Sequence, residues 1–336
     1  MKVLIIGAGR MGLRHAVGLA SMSEITNISI VDISTDALLN AKRQFENSEY
    51  SNKYSFHDIS FLNSCTKYGV CIIATTASNR RDICEKIILL GIANVLIEKP
   101  LGQSLEEVLD LINLFKDTKS KAYVNLNMRI NPNFVQLKHD LISKQQLHGY
   151  KIITINTGAI GIGANGIHYL DFLNNLLDAD HSTIVNCSIQ NEPISSARGE
   201  LYRDFGGWCM LDYFKKEEKV GTAFLSINAL SSVFGGIDIV APHGRIFINE
   251  SSGKRFDFLR DPTSTLPTSR YHADYFEPLI CDLFNSALSD LTREWMESIL
   301  NSKSCLPSVE ESLHAHALMF EWLSNSKETF NKFPIT

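Results

Sequence analysis

Residues 1–32 read MKVLIIGAGRMGLRHAVGLASMSEITNISIVD. Positions 2–6 are short, β-branched and apolar without alternation, the signature of a strand covered on both faces of a parallel sheet. Gly7-Ala8-Gly9-Arg10-Met11-Gly12 follows, a G-x-G-x-x-G run that opens a helical segment over 11–21. A second apolar run, Ile28-Ser29-Ile30-Val31, ends at Asp32, 20 residues beyond Gly12. Three glycines at this spacing are weak information alone. The strand before them, the helix after them and the acid closing the second strand together make a dinucleotide fingerprint. Gly7 permits the tight turn, Gly9 lets backbone approach a pyrophosphate, and Gly12 lets helix and strand pack closely. The helix start at Arg10 and Met11 offers free N–H groups and partial positive charge to phosphates. Asp32 is placed to accept hydrogen bonds from ribose hydroxyls, and its charge repels a 2′-phosphate. No Arg or Lys directly follows it, so NAD is expected over NADP.

Working outward, the spacing predicts a helix over 35–45, a strand over 70–74, a helix over 81–90, a strand over 94–97, a helix over 105–115 and a strand over 122–126. Strands alternating with helices of this length specify parallel βαβ units. Past residue 125 the pattern changes to long alternating stretches, at 150–157, 221–230, 237–240 and 245–249, with helices expected over 133–143, 166–177, 275–285 and 308–324. The predicted fold class is therefore α/β. A doubly wound parallel Rossmann sheet occupies 1–124, and an α+β domain on a largely antiparallel or mixed sheet occupies 125–336. Residues 253–271, rich in polar residues, Pro and Thr, read as a surface loop, lid or oligomer arm.

Composition excludes several classes. The chain has 336 residues, 44% hydrophobic and 21% charged, with a net charge of -5, which gives no basic footprint for nucleic acid. No apolar run approaches the roughly 18–20 residues that span a bilayer, so no membrane partner is expected. Glycines and then Arg10 and Arg14 interrupt the apolar start, which fits a buried first strand better than a leader. Seven cysteines, odd in number and without a C-x-x-C pair, point to reduced thiols and a cytoplasmic protein. No H-E-x-x-H, cysteine cluster or carboxylate pair calls for a metal. His314 and His316, two apart on a predicted helix, face different ways and read as surface residues rather than joint ligands.

Glu98-Lys99-Pro100 follows the strand ending at Ile97. Ligands of open α/β sheets lie at the carboxyl ends of strands, so Lys99 points toward the cofactor crevice; spacing alone does not separate a functional Lys from a solvated one. Taken together, several features resemble the glucose–fructose oxidoreductase/inositol dehydrogenase/rhizopine catabolism (Gfo/Idh/MocA) family over nearly the whole chain. They are the fingerprint, Ala74-Thr75, Glu98-Lys99-Pro100-Leu101, Arg129 with Pro132, Gly166-Ile167-His168-Tyr169-Leu170-Asp171, Gly244-Arg245-Ile246 and the closing helix from Ser308.

The resemblance implies that Lys99 lies beside the nicotinamide, positions a substrate hydroxyl and exchanges its proton. Burial and the positive ring would lower its pKa. It also implies that Pro100 follows a cis peptide, that Ala74, Thr75, Thr76 and Glu98 line the cofactor, and that His168 is the general base. Arg129 and Asn165 would join Lys99 and His168 on the substrate. The implied reaction is hydride transfer between NAD and a secondary alcohol or ketone of a sugar, amino sugar or nucleotide sugar. The Asn165–Asp171 form and the terminal Phe333-Pro334-Ile335-Thr336 resemble members found with surface-polysaccharide biosynthesis. Reduction of another carbonyl or imine, and a non-catalytic NAD-binding regulator, are the competing readings. Members usually pair through the exposed sheet face of the second domain, so a homodimer or homotetramer is implied.

Two departures stand out. Ala164 occupies the place where many members carry an Asp four residues before the His. In Thr75-Thr76-Ala77-Ser78-Asn79-Arg80, the usual Pro, Asn and His are replaced by Thr76, Ala77 and Arg80. The flanking strand and helix are unchanged, so the loop is still expected to cover the ribose side. Asp171, one turn after His168, would either orient its ring or sit on the helix surface. Tyr169 is read as packing. Arg203, Asp204 and Trp208 are further candidates for the substrate mouth.

Overall fold

The computed structural model describes the chain except for residues 66, 79, 159, 191, 197–198, 234, 266–277, 326–333 and 336. Two compact units divide the chain: Met1–Ile130 with Ser286–His316, and Asn131–Asn285 with Ala317–Thr336.

The first unit runs β1 (Lys2–Ile6), α1 (Arg10–Ala20), β2 (Asn27–Asp32), α2 (Thr35–Phe45), β3 (Tyr54–Asp58), β4 (Val70–Ile73), α3 (Arg80–Leu89), β5 (Asn94–Ile97), α4 (Leu105–Phe115) and β6 (Lys121–Val124). The six strands lie in the order β3-β2-β1-β4-β5-β6, all parallel. The chain starts at β1, winds outward to β3, then returns to β4 on the other side of β1. The switch point, where a doubly wound sheet binds its ligand, therefore lies at the carboxyl ends of β1 and β4. Strand β4 is buried throughout and β1 is buried beyond Lys2, which is why their sequences carry no polar alternation. Edge strand β3 is half-buried and mixed, and carries no such signal.

The second unit opens with α5 (Pro132–Ser143), β7 (Lys151–Gly158) and α6 (Ile167–Leu176). Among the described residues, ten runs pair as strands: β7, then β8 (His181–Ile189), β9 (Ile194–Ser196), β10 (Gly199–Asp204), β11 (Gly207–Lys215), β12 (Glu218–Asn228), β13 (Gly236–Ala241), β14 (Gly244–Asn249), β15 (Lys254–Leu259) and β16 (Leu279–Asp282). Eight form one sheet in the order β16-β15-β14-β13-β7-β12-β11-β8, in which only β7 and β12 pair in parallel; β9 and β10 form a separate ribbon. Helix α6 lies along β12. Gly166 at its start abuts Ile227, and Leu177 just past its end reaches Gly221. The alternate residues Ala223, Leu225 and Ile227 are buried beneath it.

Two expectations fail here. The predicted helix over 275–285 is instead β16 at Leu279–Asp282, paired with β15; residues 275–277 lie outside the described chain. The predicted loop over 253–271 contains β15, while 266–271 lie outside the described residues. Strand β15 was hidden because its inward positions are Arg255 and Asp257, both buried. They satisfy each other at 2.7 Å, with Asp140 bound to Arg255 and Lys144 3.1 Å from Asp257. Buried charges paired in this way are permitted, but they erase the apolar alternation by which strands are read.

After β16 the chain returns to the first unit as α7 (Leu288–Leu300), and α8 (Leu313–Ser324) follows. This differs from an undivided second domain over 125–336. Trp295 and Met296 of α7 are fully buried, with the Trp295 ring edge-on to Tyr123 at 6.3 Å. A Cβ on Gly18 of α1 would overlap the Ser289 carbonyl, so the two helix backbones touch. The apolar face of α7 completes the Rossmann core, and that burial draws 286–316 back.

Candidate functional site

At the switch point Gly7 has φ 110°, and a Cβ there would come within 2.7 Å of the Ala74 carbonyl; on Gly12 it would overlap the Gly7 carbonyl. Gly9 differs, since a Cβ there meets nothing within 4 Å. Its open side faces outward beside the start of α1. Helices α2 and α4 are capped by Ser34 and Ser104 and carry acids in their first turns. Helix α1 has neither a side-chain cap nor a first-turn acid, so the N–H groups of Arg10, Met11 and Gly12 are left to a ligand. The Asp32 carboxylate accepts from Ala8 N at 2.6 Å and from Ser34 N at 2.8 Å, which fixes its orientation beside that turn. Ala74, Thr75 and Thr76 extend β4 at the same crevice, and the Thr75 hydroxyl oxygen is buried without a protein partner. An uncapped helix, an open glycine and an orphaned hydroxyl fit the pyrophosphate and ribose of a dinucleotide.

Lys99 follows β5, buried, with its bond to Pro100 cis. Its neighbours are held by residues from across the unit. Glu98 Oε1 accepts from Asn125 Nδ2 at 2.7 Å and lies 2.9 Å from His15 Nε2; His15 Nδ1 is 2.7 Å from Thr292 Oγ1 on α7. Burial opposes the Glu98 charge, but the His15 bond, the charges of His15 and Lys99, and the Asn125 bond outweigh it and pull its pKa down to about 2. Arg80, 1% exposed, donates through Nη2 to Thr75 O at 2.7 Å and through Nη1 to Glu98 O and Pro100 O. Residue 79 of the expected cofactor loop lies outside the described chain.

His316 overturns its expected place on the surface. It is fully buried, accepts from Leu101 N at Nε2 (3.0 Å) and donates from Nδ1 to Ser312 O (2.8 Å). Burial pushes its pKa down to about 4. Nothing local to its helix signals this role; Arg80 at least was visible as a departure from the family pattern.

Gly7, Gly9, Arg10, Met11, Gly12, Asp32, Ala74, Thr75, Thr76, Glu98, Lys99 and Arg129 all lie in the first unit, Arg129 half-buried in a short turn after β6. Asn165 and His168 lie in the second unit. Asn165 is in a single π-helical turn, Ile162–Gly166, and His168 is the second residue of α6; both are half-buried. Asp204 holds this turn. Its carboxylate accepts from Gly163 N at 2.9 Å and Ala164 N at 2.7 Å, and Gly161 must be glycine because a Cβ would overlap that carboxylate. Asp204 is therefore an anchor, 2% exposed, and does not line a substrate mouth. Asp171 is likewise buried, so its helix-surface reading fails. Tyr169 is packed as expected; its hydroxyl is 3.4 Å from both Glu250 oxygens, and burial pushes the Glu250 carboxyl up to about 7. Of the terminal residues, Phe333 and Thr336 lie outside the described chain, and Ile335 bridges to Arg203. Among the described residues, no group of three or more His, Cys, Asp or Glu is arranged to hold a metal ion, and no helix is long and apolar enough to cross a membrane.

Residues 1–126 match the model of a family described as "Oxidoreductase family, NAD-binding Rossmann fold" (GFO_IDH_MocA). Inositol 2-dehydrogenase of Rhizobium meliloti (strain 1021) is 23% identical over 134 residues, 40% of this chain; the match spans only 38% of that protein's length. Levoglucosan dehydrogenase, solved with NADH and levoglucosan, superposes with TM-score 0.75 at 16% identity, covering 97% of both chains. An oxidoreductase from Agrobacterium radiobacter, solved with NAD+, L-tartaric acid and magnesium, gives TM-score 0.73 at 15% identity, over 98% of this chain and 96% of that one. At these identities the two solved structures establish a shared fold.

Proposed function

From the premise that residues 1–126 are the NAD-binding Rossmann domain of the Gfo/Idh/MocA oxidoreductases, we propose that the protein is an NAD-dependent dehydrogenase acting on a secondary alcohol of a sugar or polyol. The carrying observation is the seat of Lys99. It is buried at the carboxyl end of β5, one strand from the switch point, in a loop gripped by four other side chains. A reacting group must be held by neighbours that are themselves locked in place, and this seat supplies such support.

Bound NAD supplies the hydride acceptor, so that the secondary alcohol is oxidised to a ketone while its hydroxyl proton leaves to the protein. Lys99 holds the hydroxyl oxygen and orients the carbon. His168 takes the proton, a task suited to a neutral imidazole. Asn165 and Arg129 hydrogen-bond other substrate oxygens. The levoglucosan and inositol enzymes are named for compact polyols, which favours a free sugar or polyol. An amino sugar or nucleotide sugar of surface-polysaccharide synthesis is the narrower version, supported by the Asn165–Asp171 form. The odd, unpaired cysteines suit the cytoplasm, and the exposed sheet face suits a homodimer or homotetramer.

A panel of sugars, polyols and sugar nucleotides screened by NADH absorbance, with thermal shift alongside, tests this reading. At least one should reduce NAD, and Lys99→Ala should lose that activity. If the protein binds NAD but turns over no member of the panel in either direction, the regulator reading takes its place.

A further inference from the structure

We propose that Arg80 is a positioning residue that ties the main chain on both sides of Lys99 to the end of β4, and so builds the nicotinamide half of the cofactor site. This rests on the dehydrogenase reading.

Three carbonyls, Thr75 O beyond β4 and Glu98 O and Pro100 O beyond β5, converge on one buried guanidinium. Converging carbonyl oxygens need donors, and in a buried place they have no water to supply them. A planar fork with five N–H donors suits three acceptors spread over two loops. A Lys ammonium is a compact point charge, and a His ring offers at most two donors, on opposite sides.

The clamp is one-sided. The adenosine half of the crevice is built by the turn after β1 and by Asp32 after β2, and none of these three Arg80 bonds touches either. The β4 and β5 ends lie on the other side of the switch point, where the second mononucleotide of a dinucleotide binds. Leu101, next along the loop, is held by His316, so the main chain is bonded at residues 98, 100 and 101. Removing Arg80 frees the carbonyls flanking Lys99 and the Thr75 carbonyl together, while the pyrophosphate turn keeps its own bonds.

Dissociation constants of NADH and of ADP-ribose, which lacks the nicotinamide, measured calorimetrically on the full chain, test this. In Arg80→Met the NADH constant should rise about tenfold while the ADP-ribose constant stays within about twofold, as expected when only one half of a site is disturbed. Arg80→Lys keeps the charge but not the fork, and should fall between Met and wild type; it also serves if the Met variant does not fold. If either variant binds NADH like the wild type, the clamp does not shape the site and the proposal is overturned. Equal weakening of both ligands also overturns it, since Arg80 would then be a general brace of the domain. If the wild type binds ADP-ribose but not NADH, the dehydrogenase reading falls and takes this inference with it.

Discussion

Ala8 N and Ser34 N both donate to the Asp32 carboxylate and hold it in one orientation. A fixed negative charge beside the ribose edge should favour NAD over NADP at least tenfold, about 1.4 kcal/mol. Comparable dissociation constants for the two cofactors would refute this, and Asp32→Ser should narrow the gap. Lys99 acts on the substrate, so Lys99→Ala should keep NAD affinity within a few-fold while removing most turnover. His168→Asn should slow turnover by about a hundredfold, the usual scale for a lost general base. Collapse of NAD binding in a folded Lys99→Ala protein would make Lys99 a cofactor anchor instead. His316 yields a stability prediction. Its folded pKa is depressed to about 4 from 6.5, so the unfolded chain binds a proton first as pH falls. The stabilisation is whole above pH 6.5 and is lost progressively between 6.5 and 4, by up to about 3 kcal/mol. His316→Gln does not titrate, and its side-chain oxygen can still accept from Leu101 N. Its melting temperature should therefore fall less steeply over that window, and parallel curves for variant and wild type would contradict the assignment.

At the scale of elements, α1 separates folding from binding within one motif. Gly12 packs against the Gly7 carbonyl, where neither partner is a flexible side chain. Gly12→Ala should cost about 3 kcal/mol, the upper end for overpacking, as read by denaturant midpoint. Gly9 faces open space, so Gly9→Ala should melt with the wild type yet bind NAD more weakly, because the methyl occupies the approach of the pyrophosphate. Unchanged NAD affinity in Gly9→Ala would remove the pyrophosphate from that turn. The same elements show what was readable. Strands β1, β2, β4 and β5 were visible because they are covered on both faces, leaving runs rich in Ile, Val and Leu, while edge strand β6 was visible by its place in the alternation of strand and helix. Strand β11 was not, since Trp208, Met210 and Phe214 on one face alternate with Cys209, Leu211 and Tyr213 on the other and leave no period. Strand β15 was hidden by its inward charges.

At the scale of the whole molecule, the eight-stranded sheet presents Ile152, Val185, Phe224 and Val240 to solvent on the face away from α6, with Trp208 stacked on Phe224 at 5.7 Å. A sheet face that carries exposed apolar residues among polar ones, such as Thr154 and the Asp238–Arg245 pair, is the surface expected to pair two copies. Light scattering at micromolar concentration should give a dimer or tetramer, and Ile152→Glu with Phe224→Glu should shift it to monomer while the fold persists. A monomeric wild type would rule the pairing out.

What the sequence determined by itself is the parallel half and its fingerprint, because period and glycine spacing are local signals confined to a few turns. Lys99 and His168 were legible as candidates, but only through motifs that resemble a family. What supports Lys99 was decided by tertiary structure. His15 meets Thr292 across 277 residues, and Leu101 meets His316 across 215. The return of residues 286–316 to the first unit has the same origin. A helix pattern states that one face must be buried but not against what; that choice is made only when distant segments compete for the same apolar surface and the same unpaired backbone groups.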